Sequence, residues 1–256
     1  MLTSSDHLTF FVVVPIFNEE CLLRTTLDAL AAQSDSGFTL VLVDNASTDD
    51  STAIARAFAR DHAELTVHRL TEPRKGTGAA ADTGFRFAIA QGARWIARTD
   101  ADCLPDRHWV RNLKCALGDE GLEFVCGVIR PREDESPVTA CDRLVLRGMI
   151  WIAEHYGRIH RRGRRFKYPY LMAAGNNLAI SAQLYEQSGG FPRRAIEEVH
   201  EDRVLSEVVR TLTTRAGRRD NVIVYNSVRR VRAYGYLNTL RWYRNHGYRG
   251  AIVDVR

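Results

Sequence analysis

Phe10-Phe11-Val12-Val13-Val14-Pro15-Ile16-Phe17-Asn18-Glu19 is the stretch that decides the fold. Its first five residues are continuously apolar and rich in β-branched side chains, as in a strand covered on both faces. Pro15 ends the run, and polar residues follow at once. Leu23, Leu27 and Leu30 then recur at helical spacing. Outward from this unit the pattern repeats. Thr39 to Val43 reads as a second buried strand that stops at Asp44, and Ser47 and Thr48 are suited to cap the helix carrying Ile54, Ala57 and Phe58. Leu65 to Leu70 reads as a third strand. Lys75-Gly76-Thr77-Gly78 leads into an Ala-rich helix, and Trp95-Ile96-Ala97-Arg98-Thr99 is a fourth strand ending at Asp100.

Strand and helix alternating in this way imply right-handed βαβ units and a mostly parallel sheet with helices on both faces. Past the fourth strand the pattern changes. Pro105 is expected to open a helix through Trp109, Val110, Leu113 and Leu117, and Phe124 to Ile129 to form another strand. Val138 to Tyr156 reads as a largely apolar helix, and Leu178 to Ile180 as a strand. A soft boundary falls near Arg130. Residues 1–130 form the first region and residues 131–256 the second, within one continuous domain.

The composition is 45% apolar and 26% charged, enough for a full core, which excludes a disordered binding segment. No apolar run reaches the roughly eighteen residues of a membrane span. The polar start, Met1 to His7, lacks the layout of a secretory signal, so a cytoplasmic setting is expected. Cys21, Cys103, Cys115, Cys126 and Cys141 show no paired spacing and read as buried or partly buried free thiols. The net charge of +5 is uneven: Arg161-Arg162-Gly163-Arg164-Arg165 and Arg229-Arg230-Val231-Arg232 both lie in the second half. Guanidinium forks of this kind suit phosphate groups, although a solvated surface explains them equally.

In an open α/β sheet, ligands bind beyond the carboxyl ends of the strands. Those positions carry Asn18, Glu19 and Glu20, then Asp44 and Asn45, then Arg74 and Lys75, then Asp100-Ala101-Asp102. Crowded carboxylates repel unless a cation intervenes, and hard oxygen donors suit Mg²⁺ or Mn²⁺. Asp44 and Asn45 offer groups for a nucleotide base, and Gly76 allows close approach to a phosphate. A Gly-rich turn after the first strand, which a dinucleotide-binding fold requires, is absent.

Five stretches in order resemble the family 2 glycosyltransferases of GT-A fold. They are Val13 to Glu19, Val43 to Asp49, Lys75 to Ala79, Thr99 to Asp102, and Gly189-Gly190-Phe191 followed by Glu201-Asp202. The resemblance covers roughly the first two hundred residues. It implies an inverting transfer from a nucleotide-diphosphate sugar to a hydroxyl acceptor, assisted by Mn²⁺ or Mg²⁺. It places donor contacts on Pro15, Asn18, Glu19, Asp44, Asn45, Lys75, Gly76, Asp100 and Ala101. Metal ligands fall on Asp102 and Asp100, and the catalytic base on Asp202 beside Glu201. The acceptor side is assigned to Gly175, Asn176 and Asn177, and to Arg241 and Trp242 in Asn238-Thr239-Leu240-Arg241-Trp242, a degenerate copy of a Gln-x-x-Arg-Trp motif, within a C-terminal helical extension. Trp151, His155 and Tyr156 are open to two readings, a stacking face or a core stripe. His200 and His246 are candidate extra metal ligands in the second half, but a lone His is more often structural, so neither carries weight.

Three rivals remain. One is transfer to a polyprenyl phosphate at the inner membrane face, with the Arg clusters and Trp242-Tyr243 on headgroups. Another is nucleotidyl transfer. The third, nucleic-acid binding, leaves the acidic strand ends unexplained.

Overall fold

The computed structural model describes residues 9–135, 137–160, 162–193 and 200–245. Its core is one eight-stranded sheet in the order β3-β2-β1-β4-β7-β6-β8-β5. The strands are β1 (Phe10–Ile16), β2 (Thr39–Asp44), β3 (Thr66–Thr71), β4 (Trp95–Arg98), β5 (Cys103–Pro105), β6 (Phe124–Pro131), β7 (Leu178–Ser181) and β8 (Ala216–Asn226). The first four pair in parallel, joined by α1 (Leu23–Ala31), α2 (Ser51–Asp61) and α3 (Thr77–Ala90). β7 runs antiparallel to both β4 and β6, β6 and β8 are parallel, and β5 closes the edge antiparallel to β8. Residues from beyond position 131 are therefore hydrogen-bonded into the middle of the sheet.

β1 shows why the sheet is buried on both faces. Phe10, Val12, Val14 and Ile16 point to a cluster with Leu23, Leu27, Leu30 and Trp109. Phe11 and Val13 point to the opposite cluster with Ala80, Ala81, Phe85 and Leu205. The two-residue period of a strand sorts one apolar run into two cores. On the second face α3 lies close against the sheet. A Cβ on Gly84 would sit 2.4 Å from Val13 Cγ1 and 2.9 Å from Val43 Cγ2, so only glycine fits there.

Several expectations need correction. Pro105 closes β5 instead of opening a helix, because Cys103–Pro105 finds a partner in β8, and α4 (Trp109–Lys114) starts later. Ser47 and Thr48 do not cap α2, which begins at Ser51; they bond to the loop after β1 instead. β8 escapes the periodicity because Arg218-Arg219-Asp220 interrupts its apolar residues. The expected apolar helix forms as α5 (Ala140–His160), but only Gly157 is buried on it. Trp151, His155 and Tyr156 are exposed, so they are no core stripe. All five cysteines are free, but Cys21, Cys115 and Cys141 are exposed.

Candidate active site

The carboxyl ends of β1, β2 and β4 meet at one edge, and their loops are fastened to one another. Asn18 has a positive φ of 51°, which turns its amide towards β2. Its Oδ1 accepts from the Thr48 amide at 2.8 Å, and its own amide donates to Ser47 Oγ at 3.1 Å. The Glu19 amide donates to Ser51 Oγ at 2.8 Å. Asn45 is buried and ties down the loop before α3. Its Nδ2 donates to the carbonyls of Glu72 and Arg74 at 2.8 Å each, and its Oδ1 accepts from Gly76 N–H at 2.8 Å. Asp44 stays partly open beside a cavity of about 180 Å³ lined by Ile16, Leu42, Arg56, Arg69 and Leu70. Lys75 is exposed, its Nζ 5.5 Å from the Phe17 ring centre.

Asp100-Ala101-Asp102 makes the turn from β4 to β5. Ala101 is buried, and its carbonyl accepts from Thr26 Oγ1 at 2.7 Å, which fixes the turn from below. The fully buried Arg132 donates to the Asp102 carbonyl at 3.1 Å. Burial, then Asp102 and Asp100, push the Cys103 thiol well up, so it stays neutral under the turn. The Asp102 carboxylate faces Arg229, at the start of α8 (Arg229–Asn245). Arg229 Nη2 lies 2.7 Å from Glu19 Oε2 and 3.5 Å from Asp102 Oδ2, and its Nε lies 3.5 Å from Glu135 Oε1. One guanidinium thus offsets three carboxylates.

A second buried guanidinium links this turn to α7 (Glu201–Leu212). Arg98, 1% exposed, sits at the end of β4. It reaches Asp100 Oδ1 at 3.1 Å and Glu201 Oε1 at 3.1 Å. Its guanidinium also stacks near the Phe191 ring, 5.3 Å from the centre. A Cβ at Gly175 would lie 2.9 Å from the guanidinium, so this position needs a residue without a side chain. Beside the pair sits Asp202, in the first turn of α7. Its Oδ2 accepts from Gly175 N–H at 3.0 Å and its Oδ1 from Arg203 N–H at 2.6 Å. Burial of the carboxyl and repulsion from Glu201 raise the Asp202 pKa to about 6, against the pull of Arg98 and the two amides. A carboxylate poised there can accept a proton near neutral pH. On α3, a Cβ at Gly78 would lie 2.5 Å from the Pro192 carbonyl and 3.1 Å from Glu201 Cβ. Helix α3 therefore touches the segment that carries Glu201 and Asp202 directly.

The sequence model of glycosyl transferase family 2 matches residues 11–187, a span that runs from β1 through β7 and α6 (Ala182–Gln187). The chain belongs to that family. The chain is 29% identical over 118 residues to glycosyltransferase AglE of Haloferax volcanii, covering 45% of the chain and 38% of AglE. It is 35% identical over 94 residues to a PGL/p-HBAD biosynthesis glycosyltransferase of Mycobacterium bovis, covering 36% and 35%. The chain thus spans well under two thirds of these relatives. A mannosyltransferase from Pyrobaculum calidifontis, solved with GDP-Man and Mn²⁺, superposes with a TM-score of 0.65 at 26% identity, covering 90% of this chain and 62% of that one. S. aureus TarS in complex with UDP-GlcNAc superposes at 0.61 with 14% identity, covering 86% and 58%, which shows shared fold. The fold is thus of the GT-A type.

In this family 2 chain, the strand ends bring Glu19, Asp44, Asp100 and Asp102 to one edge, with Glu201 and Asp202 one arginine away. Pro15 is buried within β1, paired with Val43, and holds the strand end beneath the loop. Asn45 serves the loop instead of a base, since both ends of its amide are engaged. Asn177 likewise turns out to be a core amide. Its Oδ1 accepts from Trp109 Nε1 at 2.9 Å, and its Nδ2 donates to the Val128 and Val222 carbonyls. That removes it from the acceptor wall. Asn176 is buried with Oδ1 unpartnered, and Gly175 touches Asp202. His200 is buried at the N-terminus of α7. Arg241 and Trp242 belong to α8, but their side chains, like Tyr243 and the whole of His246, lie outside the described residues. Arg98, Arg132 and Glu135 carry no mark in the motif pattern. The signal for Arg98 is a charge placed inside an apolar strand run.

Among the described residues no group of three His, Cys, Asp or Glu side chains converges as a metal site. The donors present, Asp100 and Asp102, are hard carboxylates on a fixed turn. They fit a divalent cation whose remaining ligands are water or substrate phosphate, the usual habit of Mg²⁺.

Proposed function

We propose that this chain moves a glycosyl group from a nucleotide-diphosphate sugar to a hydroxyl acceptor with inversion, Asp202 acting as general base. The observation that carries the reading is the buried Arg98, which joins Asp100 of the Asp-Ala-Asp turn to Glu201 beside an aspartate with a pKa of about 6. Donor turn and base are thereby held at a fixed separation. The superposed mannosyltransferase, solved with GDP-Man and Mn²⁺, supports both the donor class and a divalent cation.

The nucleotide enters over Pro15, Asn18 and Glu19, with its base at the cavity beside Asp44. Lys75 and the Gly76 loop face the phosphates. Asp102, with Asp100, would hold a Mn²⁺ or Mg²⁺ ion, which supplies charge neutralisation for the diphosphate. The acceptor hydroxyl gives its proton to a carboxylate oxygen of Asp202 as its oxygen bonds to the anomeric carbon. The bond from that carbon to the diphosphate breaks, and the diphosphate leaves with the electron pair. Arg229 and Lys75 are the cations placed to stabilise it. Glu201 keeps Arg98 in place. The acceptor enters along Gly175 and Asn176, in a cytoplasmic setting.

Asp202→Asn tests the assignment. Calorimetry should show nucleotide-sugar binding near that of the parent, while transfer falls on the order of 10²–10⁴-fold. Turnover within a few-fold of the parent rules Asp202 out as base. Release of pyrophosphate instead of a nucleoside diphosphate moves the reading to nucleotidyl transfer.

A further inference from the structure

Among the described residues, helix α5 carries five of the six large apolar side chains that stand exposed. Leu144 is 73% exposed, Trp151 59%, Ile152 55%, Tyr156 51% and Ile159 59%. At 3.6 residues per turn these five fall within an arc of about 140°. Burial of such side chains is the ordinary outcome in a core, so five on one face of one helix call for a partner. Histidines extend the surface: the Trp151 and His155 rings lie 4.0 Å apart, and Tyr156 and His160 stack at 4.0 Å.

Charge indicates the occupant. Arg143, Arg147 and Arg158 border one side of the arc, all exposed. Arg143 meets Glu133 at 3.0 Å and Arg158 lies 4.0 Å from Glu154, but the arginine side chains stay 46% and 57% exposed, so these pairs are weak holds. Past the helix end, Arg162, Arg164 and Arg165 line an open hollow of about 480 Å³ with His160, Phe166 and Glu207. The acidic groups of the helix are already paired with other elements. Glu154 pairs with Arg218 of β8, and Asp142 accepts from Tyr236 of α8. Gly157 lets the helix settle against the Tyr170 ring, where a Cβ would lie 2.2 Å from Cε1. One face is therefore anchored, and the other is apolar with an arginine border.

We propose that the exposed face of α5 docks on an anionic lipid surface. The aromatic and aliphatic arc enters the headgroup boundary, and the arginines pair with lipid phosphates, as a basic amphipathic helix lying in the interface does. A protein partner binding through the same arc would need matching carboxylates; a second copy of this chain presents arginines there and is repelled. The docking surface stands apart from the catalytic reading above.

The test uses the full chain in co-sedimentation with phosphatidylcholine vesicles, with and without phosphatidylglycerol. Binding to the anionic vesicles should exceed binding to neutral ones on the order of tenfold or more and fall as salt rises. Ile152→Glu with Ile159→Glu, both exposed and outside the core, should abolish it, with circular dichroism and nucleotide-sugar affinity unchanged. Equal binding to both vesicle types, no binding, or binding that survives the double substitution overturns the proposal. So does a concentration-dependent dimer in sedimentation velocity that the same substitutions dissolve, which assigns the face to a second copy. Vesicle binding lost with transfer to a soluble acceptor intact leaves the catalytic reading standing. Vesicle binding intact in an Asp202→Asn chain without transfer separates the two in the other direction.

Discussion

The loops at the ends of β1 and β2 and the wall formed by α5 and α8 are held in opposite ways. The loops are locked by short polar side chains that satisfy one another: Asn18 on Thr48, Ser47 and Ser51 on the first loop, Asn45 on three backbone groups. The wall is held by long charged side chains, Arg218 on Glu154 and Arg229 on Glu19, with much of its apolar surface outside. Short amides and hydroxyls lose little rotamer entropy when they bond, whereas arginines lose much. The strand-end loops are thus built stiff, and the α5 face is left with apolar surface uncovered.

The sharpest way to break this contrast is at Arg98, the one buried cation that joins Asp100 to Glu201. Arg98→Met leaves the buried Glu201 carboxylate, and the part-exposed Asp100, without their charge partner. Stability should drop by about 3–5 kcal/mol in denaturant titration, with transfer lost at temperatures where the chain is still folded. A chain as stable as the parent would mean that water or another cation compensates Asp100 and Glu201.

Asp102→Asn comes next. It removes one hard donor from the proposed ion site and keeps the turn, because Arg132 holds the main-chain carbonyl and not the carboxylate. The gain in nucleotide-sugar affinity on adding Mn²⁺ should shrink at least on the order of tenfold, the low end for disturbing even an outer partner of a metal site. An unchanged gain in calorimetry removes Asp102 from the ion.

Asn45→Ala probes stiffness itself. It leaves the Glu72 and Arg74 carbonyls and the Gly76 amide without their side-chain partner, at a cost of about 1–2 kcal/mol in stability. Donor affinity should weaken while turnover at saturation holds. If instead turnover falls and affinity holds, the amide acts on the chemistry and not on the loop.

A further effect is in pH. Asp202 accepts a proton only when ionised, so kcat/KM should stand at about half its plateau near pH 6 and fall below it. The same shift acts on stability with the sign opposite to a salt-bridged carboxylate. The folded pKa lies above the ordinary 3.8, so the native state holds the proton more tightly. Stability from this group is therefore greatest at low pH and declines as pH rises from about 3.8 to about 6. Asp202→Asn should remove that decline in thermal melts taken across the window.

How far the sequence reveals this architecture depends on which physical signal a residue leaves. Phe10 to Val14 betrays a buried strand because apolarity is one-dimensional and local. Asp100 and Asp102 are legible only by position: such a pair could cap a helix, and its place directly after a buried strand is what singles it out. Arg98 is hidden by the same logic: it lies within the strand, and Glu201, one of its two carboxylate partners, is 103 residues away. Asn45 and Asn177 mislead in the opposite direction. An amide offers the same donor and acceptor to a ligand as to a carbonyl, and only the fold decides which is nearer. The exposure of Trp151 and Tyr156 is equally illegible, since helical spacing shows that a face exists and not what covers it.

Gly78 carries a consequence of its own. With the Pro192 carbonyl 2.5 Å from where a Cβ would stand, α3 and the Gly-Gly-Phe segment meet across a wall one hydrogen atom thick. That residue acts as a spacing gauge between α3 and α7. A methyl there wedges α3 from Pro192 and Glu201, so the separation of the two segments is set by the absence of a side chain.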